Sequence, residues 1–119
     1  MTHAETAQRG ENAAAAYLER IGCTVVERNW RCPSGEVDIV ALDGPTVVIV
    51  EVKTRKTPSA GTPEEAVSPT KQRRLVRVAR HYLAQAGLTD TEVRFDVIAI
   101  RPIAEDRALL RHHRAAFTA

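Results

Sequence analysis

Residues 36–53 read EVDIVALDGPTVVIVEVK, two apolar runs on either side of Asp43-Gly44-Pro45, a strong turn signal. The second run, Val47-Val48-Ile49-Val50, is unbroken. That suits a central strand covered on both faces better than a strand with one wet side. Together the runs predict an antiparallel hairpin with strands over 36–42 and 46–53. With Gly44 and Pro45 as the loop residues, Asp38 falls opposite Glu51 and Glu36 opposite Lys53. Directly opposed residues share a face, with Cβ atoms about 5 Å apart. Lys53 follows Glu51 by two positions and lies on that same face, roughly 7 Å along. A bulge or a longer loop would shift this register.

Before the hairpin, residues 23–30 (CTVVERNW) predict a strand and Cys32-Pro33-Ser34-Gly35 a turn. Residues 5–21 are Ala-rich and predict a helix that stops at Gly22. Its apolar stripe is Ala7, Ala14, Leu18 and Ile21, with Tyr17 alongside, and Glu11 falls on that stripe where an apolar residue is expected. After the hairpin, residues 54–67 (TRKTPSAGTPEEAV) carry two prolines and a glycine and predict a long mobile loop, a length that often serves function. Ser68 is placed to cap a second helix, with Pro69 at its first position, running to Ala86 and ending at Gly87. Residues 92–100 (EVRFDVIAI) predict a fourth strand. A strand, crossover helix and strand in one sheet imply a right-handed parallel connection. The tail, 102–119, fits a short helix or an edge strand equally well around Ala108, Leu109 and Leu110. The fold class expected is α/β, with a mixed central sheet flanked by helices.

The length of 119 residues predicts a single domain over 1–119, with its core at about 5–101 and a C-terminal tail over 102–119. With 44% apolar and 27% charged residues, the composition excludes a disordered tail, a collagen-like chain and a disulfide scaffold. No stretch approaches the roughly 18 apolar residues of a membrane span, and the N-terminus has no signal-peptide core. The expected location is cytoplasmic, with no membrane partner. Cys23 and Cys32 are too few for a zinc cluster. The net charge of +2 is unevenly spread: residues 1–52 hold four basic and eight acidic side chains, residues 53–81 eight and two, residues 82–119 five of each. A basic block beside an acidic one points to a polyanionic partner, the alternative being a solvated helix face.

Two carboxylates as close as Asp38 and Glu51 repel each other, so one takes up a proton or a cation sits between them. Carboxylate oxygens completed by water suit a hard divalent ion, Mg²⁺ or Mn²⁺. An ammonium beside them would be out of place in a purely structural metal site. It makes sense where an anion must be held or a water oriented and deprotonated, and Lys can be tuned for that as Arg cannot. The chain holds three lysines against fourteen arginines, which gives the position of Lys53 some weight. The second helix has the stripe Leu75, Val78, Ala79, Tyr82, Leu83, Ala86. Extended backwards, it turns Lys71 and Gln72 inwards, while Arg73, Arg74, Arg77 and Arg80 face out. Arg55 and Lys56 follow the carboxylates in the loop. Acid at the centre with base around it suits cutting a phosphodiester.

Asp38, a hydrophobic hairpin and then Glu51-Val52-Lys53 resemble the PD-(D/E)xK signature of the restriction-endonuclease-like superfamily. The wider string is more specific: Arg9-Gly10-Glu11, GEVDIVA at 35–41, EVKTR at 51–55, KQRRL at 71–75 and RFDVIAI at 94–100. In that order it is similar to the YraN-like family, bacterial proteins predicted to be endonucleases and related to archaeal Holliday junction resolvases, over about residues 7–101. The resemblance implies a restriction-endonuclease-like α-β-β-β-α-β core, which agrees with the element order read above. It implies Asp38 and Glu51 as metal ligands, with the Val52 carbonyl as a further oxygen. Lys53 would hold the attacking water or the scissile phosphate. Glu11 would ligate the metal directly or through water, and Gln72 would line the site. Val37 precedes Asp38, so the proline of the signature is absent, and the nearest one, Pro33, lies in the preceding turn.

The function expected is a Mg²⁺- or Mn²⁺-dependent endonuclease acting on branched or otherwise structured DNA. Its nucleic-acid contacts would come from Arg55, Lys56, Lys71, Arg73, Arg74 and Arg77. Junction resolvases need two active sites, which leaves room for a homodimer. The alternative is a non-catalytic nucleic-acid-binding or adaptor protein on a nuclease-like fold. For single residues the structural readings are specific: Glu11 salt-bridged to Arg9 or Lys53, Gln72 hydrogen-bonded at the helix end, Glu36 paired with Lys53 or an arginine. Asp96 is read as structural. His3, His81, His112 and His113 are read as surface or local packing residues, and Trp30, Tyr17, Tyr82, Phe95 and Phe117 as packing residues.

Overall fold

A computed structural model describes residues 2–55 and 67–119. The described elements are α1 (His3–Arg20), β1 (Thr24–Cys32), β2 (Gly35–Asp43), β3 (Thr46–Thr54), α2 (Pro69–Ala86), β4 (Val93–Ala104) and β5 (Arg107–Phe117). The strands form one sheet in the order β1-β2-β3-β4-β5. The β3–β4 pair is parallel and the other three pairs are antiparallel. The expected loop over 54–67 falls mostly on residues 56–66, outside the described residues, and Lys56 goes with it. Thr54 ends β3, and Val67 is buried in the core.

Local signals place most element ends. Thr2 Oγ1 accepts a hydrogen bond from the Glu5 N–H at 3.1 Å and caps α1. Ser68 Oγ accepts from the Lys71 N–H at 3.2 Å and caps α2, which begins with Pro69. The Asp43↔Thr46 pair closes the hairpin around Gly44 and Pro45 as expected. Val47–Val50 are all buried, with Val47 and Ile49 in the layer under α2 and Val48 and Val50 in the layer under α1. The apolar run is therefore the middle of the core.

One open alternative is settled and two expectations are corrected. The tail is a strand: β5 runs back along β4, whose backbone groups would otherwise form an exposed edge. The buried face of α1 is Gly10, Glu11, Ala14, Ala15 and Leu18, while Ala7 and Ile21 are exposed. Ile21 is the C-cap and has left the helical period, and Ala7 borders a cavity. Finally, Glu36 does not face Lys53. The β2–β3 ladder ends at Ile39↔Val50, and the next free N–H of β3, that of Val52, donates to Asp38 Oδ2 at 2.7 Å. Of the two partners expected for Glu36, Lys53 or an arginine, it takes the arginine: it pairs with Arg31 of β1 at 3.0 Å, well exposed.

The described residues include three buried charged side chains, Glu11, Glu51 and Asp96. Asp96 is structural, as its surroundings show. It accepts from Arg94 Nε at 2.9 Å and from the Ala115 N–H at 3.0 Å, and it faces His112 Nε2 at 2.7 Å. Burial alone would raise its pKa, but the bonds from His112, Arg94 and Ala115 outweigh that and hold it below the ordinary value. Arg94 continues to Asp43 at 2.8 Å, and His112 Nδ1 lies 3.1 Å from the Tyr17 hydroxyl. This chain ties β4 and β5 to β2 and α1. His112 is thus no surface residue, with only 4% of its side chain exposed. Among the described residues no helix is long and apolar enough to cross a membrane.

Candidate active site

The hairpin brings Asp38 and Glu51 together where β2 and β3 part. Their carboxyls are near enough for the contact with Glu51 and its charge both to disfavour ionisation of Asp38. The pKa of Asp38 is pushed up to about 7. Burial is the main cause, followed by the hydrogen bond and the charge of Glu51, and the Val52 N–H and Lys71 oppose it. Glu51 lies deeper and is 3% exposed. Its Oε2 faces two ammonium groups, Lys71 in direct contact and Lys53 at 3.8 Å, yet it makes no hydrogen bond. The pKa of Lys53 is lowered, first by burial and then by Lys71 and Arg55, against the pull of Glu51 and Asp38.

A cavity of about 490 Å³ opens beside this pair, between the first turns of α1 and the end of β3. Glu11, Asn29, Asp38, Val52, Lys53 and Arg55 line it. Helix α1 reaches β3 so closely because residue 10 is glycine: a Cβ there would overlap the Thr54 hydroxyl. The close approach carries the next residue, Glu11, to the cavity wall.

Glu11 is fixed by partners other than the Arg9 or Lys53 that sequence suggested. Its Oε1 accepts from Arg28 Nε at 2.9 Å and from Asn29 Nδ2 at 3.1 Å. Asn29 adopts φ 51, in the left-handed region, within β1. Its neighbours stay in register, Arg28 with Ile39 and Trp30 with Val37, so the conformation is local. Sequence reasoning missed both residues. The available signal was an asparagine inside a strand, a poor strand former that tolerates the left-handed region.

The remaining candidates divide. Lys71 points inward as its helical position implied, but it meets Glu51 and does not present itself to an outside nucleic acid. Gln72 is half-buried at the start of α2 and donates to the Val67 carbonyl at 2.9 Å. Arg73, Arg74 and Arg77 lie on the exposed side of α2, with Arg74 packed over Gly35. Among the described residues no three His, Cys, Asp or Glu side chains surround one point, so Glu11 does not join Asp38 and Glu51 as a third close carboxylate.

The donor set suits a hard divalent cation. Two facing carboxyls, one with its pKa raised by burial and by the other, and the other with a buried oxygen lacking a hydrogen bond, are strained in the way such an ion relieves. Asp38 and Glu51 would hold it, with the Val52 carbonyl, water and substrate oxygens available to complete the shell.

Comparison with known proteins follows the same lines. Residues 10–100 match the profile of the uncharacterised protein family UPF0102. A UPF0102 protein of Geobacter sulfurreducens is 50% identical over 109 residues, 92% of this chain and 85% of that one. One from Moorella thermoacetica is 48% identical over 100 residues, 84% and 83% of the two chains. The structure is similar to that of Hjc from Archaeoglobus fulgidus, a Holliday junction resolvase, with TM-score 0.57 and 24% identity, covering 89% of this chain and 73% of that one. The fold is therefore restriction-endonuclease-like, as the resemblance implied, and the family is the YraN family.

Proposed function

We propose that this chain, which belongs to the uncharacterised protein family UPF0102, is a divalent-metal-dependent endonuclease that hydrolyses phosphodiester bonds in branched or structured DNA. The observation that carries the reading is the meeting of Asp38 and Glu51 beside Lys53, next to a cavity that Lys53 and Arg55 help to line. Such a pair has little structural use. It sets two buried carboxyls against each other, raises the pKa of Asp38 and leaves a Glu51 oxygen without a hydrogen bond, whereas Asp96, with a full set of partners, shows how the same protein treats a structural carboxylate.

A divalent cation held by Asp38 and Glu51 would offset the negative charge that grows on the phosphoryl oxygens. The chain's own groups account for the rest. Lys53 lies at the cavity wall with its proton held less tightly than usual. In its neutral form it would orient the attacking water and take up its proton as the oxygen–phosphorus bond forms and the opposite ester bond breaks. Glu11, held by Arg28 and Asn29, faces the same space and would fix a second water or reach a cation through one. Arg55 at the cavity rim, and Arg73 and Arg77 outside it, would hold the flanking phosphates. Half of a resolvase reaction needs one such site, so a homodimer would deliver both cuts.

The test is a cleavage panel of duplex, flap, single-stranded and four-way DNA with Mg²⁺ or Mn²⁺. Wild type should cut at least one branched form, and Asp38→Ala and Glu51→Ala should lose cleavage by a factor of about 10³ or more while keeping DNA affinity within a few-fold. Equal cleavage by wild type and both variants would remove the assignment. Mn²⁺ binding without cleavage of any substrate would favour a binding platform.

A further inference from the structure

Lys71 stands where helix physics would not put it. It is the third residue of α2, in the turn where the backbone dipole favours carboxylates, and that turn contains no acidic side chain. Its own N–H is spent on the Ser68 cap. The side chain runs from the helix to Glu51 Oε2, which is 3% exposed at the residue level, while the lysine side chain itself remains 36% exposed. Lys53 approaches the same oxygen at 3.8 Å from the rigid central strand, with its side chain 20% exposed. Glu51 thus has two ammonium neighbours of different kinds, one fixed and one on a helix end with a route to solvent.

Charge counting gives this a consequence. With both carboxyls ionised, as cation binding requires, Asp38 and Glu51 carry two negative charges, which Lys53 and Lys71 balance when both are charged. A divalent cation on the same two carboxylates would leave the cluster two charges positive, or one with Lys53 neutral, and withdrawal of an ammonium relieves that excess. Lys53 faces the cavity, where the proposed reaction needs it, so the withdrawal falls to Lys71, which stands on a helix end with its side chain 36% exposed. Once turned outward it would join exposed Arg73 and Arg74 on the solvent side of the first turns of α2.

We propose that Lys71 is an exchangeable counter-cation of the site: it competes with the divalent cation for Glu51 and, once displaced, binds a phosphate of the DNA at the start of α2. This rests on the endonuclease reading and adds a step to it, because metal loading then creates part of the DNA-binding surface. Lys71 acts here as a binding residue; the phosphate it takes is a flanking one.

The experiment is Mn²⁺ titration calorimetry on the full chain for wild type, Lys71→Met and Lys71→Arg, paired with DNA binding in Ca²⁺ and in EDTA. Lys71→Met removes the competitor and should bind Mn²⁺ about tenfold tighter than wild type, with Lys71→Arg remaining near wild type. Wild type should gain DNA affinity in Ca²⁺, that gain should shrink several-fold in Lys71→Met, and DNA binding in EDTA should be the same for both. Unchanged or weaker Mn²⁺ binding by Lys71→Met, with wild type binding normally, overturns the exchange but leaves the nuclease reading intact. Absence of Mn²⁺ binding in all three proteins overturns both. Should Lys71→Met fail to fold, Lys71→Gln serves the same comparison, with thermal denaturation as the check on folding.

Discussion

Asp38 resists ionisation, and the sign of its effect on stability follows. Its folded pKa is about 7 against an ordinary value of 3.8. Between those values the folded chain binds a proton that the unfolded chain does not, so stability falls as pH rises through that window. Below about pH 4 both states are protonated and the penalty vanishes; above about pH 7 it is fully present. Asn keeps an acceptor for the Val52 N–H and cannot ionise. Asp38→Asn should therefore lose cleavage and yet melt higher than wild type at about pH 8, by about 5 °C for each kcal/mol relieved, with the gap closing near pH 4. Thermal denaturation at the two pH values in EDTA decides it; a variant that melts lower at pH 8 contradicts the account. The same proton must leave when a cation binds, so Mn²⁺ affinity should rise with pH through about 7, with proton release seen by calorimetry in buffers of different ionisation heat.

Helix α1 delivers Glu11 only because Gly10 lets the helix lie against Thr54. Gly10→Ala should lower stability by about 1–3 kcal/mol, although alanine is the better helix former, because the added carbon has to displace Thr54 or the helix. The urea midpoint measures this, and an unchanged or raised midpoint would show that the contact gives way freely. The elements themselves were legible in the sequence because their signals are local: Ser68-Pro69 at one helix start, Gly87 at its end, Gly44-Pro45 between two apolar runs. The register from Asp43↔Thr46 to Ile39↔Val50 followed from the turn alone. What failed depended on partners far along the chain. The ladder stops where the Asp38 side chain takes a backbone N–H, so Glu36 goes to Arg31 and not to Lys53. The hold of Arg28 and Asn29 on Glu11 requires knowing that α1 crosses β1, and the burial of His112 requires knowing that the tail returns beside β4. No periodicity carries either fact.

The charge asymmetry of the chain acquires a place in the folded molecule. The acidic pair is at the end of the central strand, and the basic block surrounds it from Arg55 and from the outer side of α2. If Arg73 and Arg77 meet phosphates, replacing both with alanine should reduce the salt dependence of DNA binding by about 0.9 log unit per log unit of salt for each residue lost. Fluorescence anisotropy across a salt series in Ca²⁺ tests this; an unaltered slope would make that helix face merely solvated. The order β1-β2-β3-β4-β5 has one more consequence. Asp38 and Glu51 sit on inner strands with neighbours on both sides, whereas Arg28 and Asn29 sit on an outermost one. Any partial unzipping from that margin would unclasp Glu11 first while the two inner acids kept their places. The protein would pass through a form that still captures an ion but has lost its grip on the outer water, so ion uptake and turnover need not fail together as it is warmed.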